Sequence, residues 1–198
     1  MTRRKMLATT LTAALAGIVC GTPGLMRVAH AEDAEDRGTK TLIVYFSRSG
    51  NTRAMAEHIQ SVVGGDLAEL KTITPYPEDY DTLTKQAKEE LQSGYLPPLQ
   101  TKIDNIGSYH VVFVGSPSWW ATLAPPMRTF LATHDLSGKT IVPFVTHEGS
   151  GMARSAEDLA SFCPKSTVLK GLALRGRRVT DSRKEVLQWL REIGLAAE

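Results

Sequence analysis

Apolar residues follow two different spacings along this chain. Five segments are continuously or alternately apolar, as in β-strands: residues 41–46, 67–73, 110–115, 140–146 and 168–174. Apolar residues recur at helical spacing in residues 52–63, 80–94, 125–131, 152–162 and 182–194. Strands that alternate with helices form a parallel sheet, because parallel strands need crossover connections. The pattern predicts an α/β fold, a doubly wound five-stranded parallel sheet in a three-layer sandwich.

The first predicted strand runs into a hydroxyl-rich loop, residues 47–52, with the sequence Ser-Arg-Ser-Gly-Asn-Thr. A helix begins within this loop, and the free N–H groups and the dipole of a helix N-terminus favour a bound anion. Gly50 lets the backbone approach a ligand closely. The loop lacks both Gly-x-x-x-x-Gly-Lys-Ser/Thr and Gly-x-Gly-x-x-Gly, the patterns of other nucleotide sites. We interpret it as a phosphate site, and a polar turn that only caps the helix is the alternative.

Two further loops follow apolar strands and suit a flat ligand. The loop after the third strand contains Trp119 and Trp120, whose rings can stack on a planar ring system. The loop after the fourth strand, residues 146–151, offers backbone N–H groups. In the strand order 2-1-3-4-5, strands one, three and four are neighbours, so the three loops meet at the sheet edge where such folds bind ligands. Core packing is the alternative role for the tryptophans, although adjacent residues of one strand cannot both face the core.

Other polar and aromatic residues near these loops have a second interpretation. His147 and Glu148 are placed to donate a proton, but a solvated loop is the interpretation we prefer, and no catalytic residue is assigned. Tyr76 and Tyr80 are interpreted as packing residues, and a place at the edge of the ligand site is the alternative. The basic run in residues 175–184 is interpreted as a solvated face, with a docking patch for an acidic protein as the alternative.

The N-terminal segment has the features of an export signal. Arg3 and Arg4 precede a weakly apolar run, and residues 29–31, Ala-His-Ala, resemble a small-x-small cleavage site. The segment is too short and too polar for a membrane span. The paired arginines resemble the twin-arginine consensus, and the general secretory route is the alternative. The predicted organisation is a cleaved signal over residues 1–31, a flexible N-terminus over 32–39 and one domain over 40–198. This organisation implies contact with an export machinery and delivery to the periplasm or beyond.

Charge and cysteine content exclude several classes of protein. Removal of the signal takes four basic residues and no acid from the 23 basic and 21 acidic residues of the chain, which leaves a formal charge of −2. Nucleic-acid binding is disfavoured, because it requires a basic face. Cys163 is the one cysteine outside the signal, so an internal disulfide is not possible, and no Cys/His cluster has the spacing of metal ligands.

The loops together resemble those of the flavodoxin family. Residues 47–52 are similar to that family's phosphate-binding signature, Thr/Ser-x-Thr-Gly-Asn-Thr, with Ser49 in place of the usual threonine. Residues 115–120, Gly-Ser-Pro-Ser-Trp-Trp, and residues 146–151 resemble the second and third flavin loops of a flavodoxin-like subfamily. The resemblance covers about residues 40–194. It implies a flavodoxin-like fold with FMN as the cofactor.

The same resemblance implies which residues bind FMN. They are Ser47, Arg48, Ser49, Gly50, Asn51, Thr52, Pro117, Ser118, Trp119, Trp120, Ala121, Glu148, Gly149, Ser150 and Gly151. We expect an FMN-dependent oxidoreductase that passes electrons to a small planar acceptor such as a quinone. The alternatives are a flavodoxin-type carrier that docks on a redox protein and a flavin-free binding module. The near-neutral charge favours the oxidoreductase, since carriers rely on electrostatic complementarity for fast docking.

Overall fold

A central parallel sheet organises residues 40–197, which are the residues that this computed structural model describes. Its strands are β1 (Thr41–Tyr45), β2 (Asp66–Glu69), β3 (Val111–Trp119), β4 (Thr122–Leu123), β5 (Thr140–His147), β6 (Thr167–Val168) and β7 (Leu172–Arg175). The helices are α1 (Asn51–Val63), α2 (Tyr80–Ser93), α3 (Pro125–Thr133), α4 (Ser155–Phe162) and α5 (Arg183–Glu192), with short 3₁₀ turns at Ile106–Ser108 and Gly176–Asp181. The predicted signal over residues 1–31 and the predicted N-terminus over 32–39 lie outside the described residues.

The strand order is β2-β1-β3-β5-β6, with β7 also paired to β5. All of these pairings are parallel. The predicted order 2-1-3-4-5 is confirmed, because β5 is the fourth predicted strand and β6 with β7 occupies the place of the fifth.

The fifth predicted strand is interrupted, which corrects the expectation of one continuous strand over residues 168–174. Ile141 of β5 pairs with Val168, and Phe144 pairs with Leu172, so three residues of one chain segment lie opposite two residues of β5. An extra residue of this kind is a bulge. Pro143 lies on β5 opposite the interruption, and a proline has no N–H to donate across the sheet.

The third strand is longer than predicted and folds back on itself. It continues to Trp119, which pairs with Thr122 of the antiparallel strand β4. Trp120 and Ala121 form the two-residue turn, with φ angles of 52° and 62°. Two consecutive positive φ angles are typical of a type I′ hairpin turn, which normally contains Asn or Gly. The hairpin was therefore not predicted, and the corrected sheet has seven strands.

Some element boundaries also differ from the sequence pattern. The second strand ends at Glu69 rather than at residue 73, although the N–H of Leu70 still donates to the Tyr45 carbonyl at 2.7 Å. Helix α4 begins at Ser155 rather than at residue 152, because residues 151–154 form turns.

Two apolar cores cover the two faces of the sheet. Alternate residues of a strand point to opposite faces, so Leu42 of β1 packs in one core and its neighbour Ile43 packs in the other. The first core includes Phe130 of α3, and the second includes Ile59 of α1 and Trp189 of α5. The three-layer arrangement is thus confirmed. No helix within residues 40–197 has the length and apolar character needed to cross a membrane.

Candidate functional site

A cavity of about 630 Å³ opens at the carboxyl ends of β1, β3 and β5. The predicted site residues that line it are Arg48, Ser49, Asn51, Thr52, Pro117, Ser118, Trp119, Trp120 and Glu148. Residues outside the predicted set complete the lining, namely Tyr80, Leu83, Thr84, Ala87, Thr146 and His147. All three predicted loops therefore meet at one cavity, whose volume is within the range of small-molecule sites.

The remaining predicted residues lie in the same loops but do not line this cavity. They are Ser47, Gly50, Ala121, Gly149, Ser150 and Gly151. Several of them connect the loops to each other or to neighbouring turns. The Ser150 and Ser118 hydroxyls form a hydrogen bond of 2.8 Å, which joins the second loop to the third. The roles assigned to individual residues in cofactor binding remain predictions.

The first loop presents free backbone donors at the start of α1. Gly50 precedes the helix with a φ of 88°, a left-handed conformation that favours glycine, and no side chain caps the helix start. The first helical bond runs from the Ala54 N–H to the Gly50 carbonyl at 2.9 Å. The N–H groups of Asn51 and Thr52 have no partner within residues 40–197. These unpaired donors, together with the helix dipole, are suited to an oxyanion.

The Thr52 side chain also connects the first loop to the sheet. It is buried, and its hydroxyl forms a 2.8 Å hydrogen bond with the Thr146 hydroxyl at the end of β5. The Ser47 hydroxyl is engaged as well, because it accepts a hydrogen bond from the Arg53 N–H at 3.2 Å. Ser49, in contrast, is exposed and has no hydrogen-bond partner within the described residues. Of the three loop hydroxyls, that of Ser49 has no internal hydrogen bond, and that of Ser47 keeps its own proton free to donate to a ligand.

The two tryptophans have different surroundings. Trp119 is half-buried, and its ring packs edge-on against Phe46 and Tyr76, with centroid separations of 5.5 and 5.1 Å. Trp120 is 51% exposed, and its indole N–H donates to the Thr84 carbonyl at 3.0 Å. Both side chains line the cavity. Packing and cavity lining therefore coexist at Trp119, whereas Trp120 forms an exposed wall that is fastened to α2.

Tyr76 and Tyr80, which were interpreted as packing residues, also have different surroundings. Tyr76 packs against Trp119, and its hydroxyl donates to Glu90 at 2.5 Å. Burial and this bond raise the pKa of Tyr76 above its ordinary value. Tyr80 is 65% exposed and lines the cavity, with the Arg48 guanidinium 5.9 Å from its ring centroid. The apolar spacing of α2 predicted its buried face, and Tyr80 in its first turn lines the cavity as the alternative interpretation expected.

A glycine missed by the sequence analysis brings two of the loops together. A Cβ placed on Gly176 would lie 2.3 Å from the Asn51 amide nitrogen and 2.7 Å from a Glu148 carboxylate oxygen. Such contacts are far inside van der Waals distance, so a larger residue would displace both side chains. The sequence at the end of β7 carries no signal for this role of Gly176, because the role arises from Asn51 of α1 and Glu148 of the loop after β5.

His147 contributes an unpaired polar atom to the lining. Its Nδ1 is buried and has no hydrogen-bond partner within residues 40–197. Burial lowers the pKa of His147 below 6.5, and the Arg175 guanidinium lowers the pKa further, while Glu148 opposes the change. The Arg175 Nε donates to the Glu148 carbonyl at 3.0 Å, which holds the cation near the imidazole. His147 is therefore neutral at neutral pH, and its imidazole can donate or accept a hydrogen bond.

We expect His147 to titrate below pH 6.5 and Arg175→Gln to raise its pKa, because the substitution removes a nearby positive charge. NMR titration of the imidazole signals, assigned with His147→Gln, measures both values. Arg177→Gln is the matched control, since it removes a neighbouring exposed arginine. Because the folded pKa is depressed, His147 favours the folded state above about pH 6.5 and this contribution is lost as the pH falls. An unchanged pKa in Arg175→Gln would contradict the assignment.

Comparison with known proteins identifies the family. The family model described as Flavodoxin matches residues 40–193. A flavoprotein from Bacteroides eggerthii is 35% identical over 78% of this chain and 97% of its own, with a TM-score of 0.69. A second, from Bacteroides uniformis, is 28% identical over 78% of this chain and 99% of its own, with a TM-score of 0.68. A flavoprotein from Lactobacillus acidophilus, solved in complex with FMN, is 26% identical over 72% of this chain and 97% of its own, with a TM-score of 0.62.

No curated protein matched the chain. The family match confirms the flavodoxin-like fold and confirms FMN, the cofactor that the loop motifs implied. The match spans nearly all of the described residues and all three loops of the cavity. The chain belongs to the flavodoxin family.

Proposed function

We propose that this flavoprotein holds FMN in the cavity at the carboxyl ends of β1, β3 and β5 and passes electrons to a small planar acceptor such as a quinone. The observation that carries the proposal is a solvent-open cavity that combines unpaired helix N–H groups with aromatic walls. The structure in complex with FMN from Lactobacillus acidophilus supports the choice of ligand.

The residues present fit the chemical parts of FMN. The unpaired N–H groups of Asn51 and Thr52, with the Ser49 hydroxyl, are suited to the phosphate. Trp119, whose half-buried side chain also lines the cavity, offers aromatic surface for the ring system. The buried Nδ1 of His147, which has no partner within residues 40–197, is available for a polar group of the ligand. When bound, FMN would supply the electron-transfer chemistry, and the chain would bind it and orient it.

The exposure of Tyr80 and Trp120 at the cavity supports a small planar electron acceptor. Both side chains are more than half exposed while they line the cavity, so a planar molecule can enter between them. A charge of −2, which follows if the predicted signal is removed, also gives little electrostatic attraction for a protein partner. A flavodoxin-type electron carrier is the second candidate, and family membership favours it.

We expect reduced, FMN-loaded protein to be reoxidised by menadione with saturable kinetics, because the acceptor occupies a defined place against Trp120. Trp120→Ala should raise the half-saturating concentration by about fivefold or more, through loss of aromatic contact. Stopped-flow absorbance measures the rates, and Tyr95→Ala, which removes an exposed aromatic outside the cavity, is the control. A reoxidation rate that rises linearly with menadione concentration and is unchanged in Trp120→Ala, together with faster electron transfer to a c-type cytochrome, would favour the electron carrier.

We expect Ser49→Ala to weaken FMN binding by about 1–2 kcal/mol, the cost of one lost hydrogen bond to a charged group. Titration of apoprotein with FMN measures the change, and Ser61→Ala on the exposed face of α1 is the matched control. Thr52→Ala is a poorer test, because it also breaks the bond to Thr146. Equal affinities of Ser49→Ala and Ser61→Ala would place the phosphate elsewhere.

We further propose that the chain is exported through the signal predicted in residues 1–31, by the twin-arginine route. FMN is made in the cytoplasm, and a site built from three separate strands does not exist in an unfolded chain, so export after folding retains the cofactor. We expect Arg3→Lys combined with Arg4→Lys to leave FMN-loaded precursor in the cytoplasm, as followed by cell fractionation and flavin absorbance. Normal delivery of the double variant would argue for the general secretory route.

A further inference from the structure

A second cavity, of about 250 Å³, adjoins the first at the side chain of Trp120. Trp120 lines both cavities and is therefore the wall between them. The other residues that line the second cavity are Lys88, Leu91, Gln92, Thr122, Arg128 and Arg154. Three of these are cations, contributed by α2, by α3 and by the turn before α4.

The cations of this cavity are only partly neutralised. Within residues 40–197, Asp158 is the acid that contacts the lining of this cavity, with an oxygen 3.6 Å from Arg128 and a hydrogen bond from the Thr122 hydroxyl. The Nε of Arg128 is buried without a hydrogen-bond partner, and the Arg154 side chain has no ion-pair or hydrogen-bond partner within residues 40–197. Lys88 contacts the Trp120 ring, with its Nζ 4.8 Å from the ring centroid.

Lys88, Arg128 and Arg154 line one small cavity, and within residues 40–197 Asp158 pairs with Arg128 alone among them. The cations therefore repel one another, and an anion among them offsets that cost. The guanidinium fork of Arg154 and the ammonium of Lys88 are groups that bind oxyanions, the fork in a bidentate manner. The volume of the cavity is small, so the anion is a single acidic group with at most one ring attached.

We propose that this cavity is a subsite for a carboxylate group of the electron acceptor, which makes Lys88 and Arg154 determinants of acceptor specificity. The inference rests on the proposed function, because it assigns the acceptor class to the wall next to the FMN cavity. The hairpin turn that carries Trp120 connects the FMN cavity to the second cavity, because the Arg154 N–H donates to the Ala121 carbonyl at 3.1 Å. A planar acceptor thus lies against Trp120 while its acidic group contacts Arg154 and Lys88.

Direct binding tests the subsite without turnover. The FMN-loaded full-length protein is titrated by calorimetry with benzoate and with benzamide, which has the same ring but no charge. We expect benzoate to bind, to bind more weakly at high salt, and to lose about fivefold or more in affinity in Lys88→Gln and in Arg154→Gln. Lys85→Gln, which removes an exposed cation of α2 that lines neither cavity, should leave benzoate binding unchanged.

Several results would overturn the subsite. Equal binding of benzoate and benzamide would exclude recognition of charge, and unchanged benzoate binding in both variants would place the carboxylate elsewhere. Binding of inorganic phosphate without binding of benzoate would reject the carboxylate assignment. Circular dichroism and FMN affinity of each variant establish that it is folded, so a loss of benzoate binding reports on the subsite.

A kinetic comparison separates this inference from the proposed function. A naphthoquinone carboxylate and its methyl ester are compared as acceptors. We expect the kcat/KM of the carboxylate divided by that of the ester to be about fivefold or more lower in Arg154→Gln than in the unsubstituted protein. Reduction of the ester together with no binding of benzoate would overturn the subsite and leave the proposed function intact. Binding of benzoate together with no reduction of either quinone would overturn the proposed function and the acceptor role of the subsite.

Discussion

Parallel pairing of β1, β3 and β5 is the constraint on which the candidate site depends. Each strand is buried along most of its length, and the pairing places all three carboxyl ends at one edge. The loops that follow them come from distant parts of the chain, yet they meet within hydrogen-bonding distance, as the Thr52–Thr146 and Ser118–Ser150 bonds show. A buried polar bond between two loops is costly to break, so Thr52 keeps the phosphate-type loop in place against β5.

The hairpin turn at Trp120 and Ala121 is the second element that shapes the site. Two residues without the freedom of glycine adopt positive φ angles there, a conformation that costs on the order of 1–3 kcal/mol per residue and persists only when its surroundings enforce it. The enforcing contacts are the indole bond to Thr84 on one side and the Arg154 bond to Ala121 on the other. The turn thereby fixes Trp120 as a wall shared by two cavities rather than as a mobile surface residue.

Electrostatics differ between the two sides of that wall. In the larger cavity the phosphate-type loop presents backbone dipoles, and His147 stays neutral because burial and Arg175 lower its pKa. The smaller cavity is lined by full positive charges from Lys88, Arg128 and Arg154, of which Arg128 alone pairs with a carboxylate, that of Asp158, within residues 40–197. The proposed acceptor subsite uses side chains of α2, α3 and the turn before α4, which lie outside the loops proposed to hold the cofactor, so the choice of acceptor can vary while the fold and the cofactor cavity stay the same.

The sequence by itself determined the doubly wound sheet, the order of its main strands and the three loops that meet at the cavity. Continuous apolar strands and amphipathic helices are local patterns, and the phosphate-type loop is a contiguous motif, so both are visible along the chain. The division of the last strand was not visible, because it follows from Pro143 on a neighbouring strand. The hairpin at Trp120 was missed because neither turn residue has the usual preference for positive φ.

Only the tertiary structure decided how the site residues are used. Thr52 is bonded to Thr146, Trp119 packs against Phe46 while Trp120 is exposed, and Gly176 makes room for Asn51 and Glu148. The cations of the second cavity lie up to 66 positions apart in the chain, from Lys88 to Arg154, and no spacing rule connects them. Contacts of this kind join residues that are remote in the chain, so they arise from packing and not from any local preference of the residues themselves.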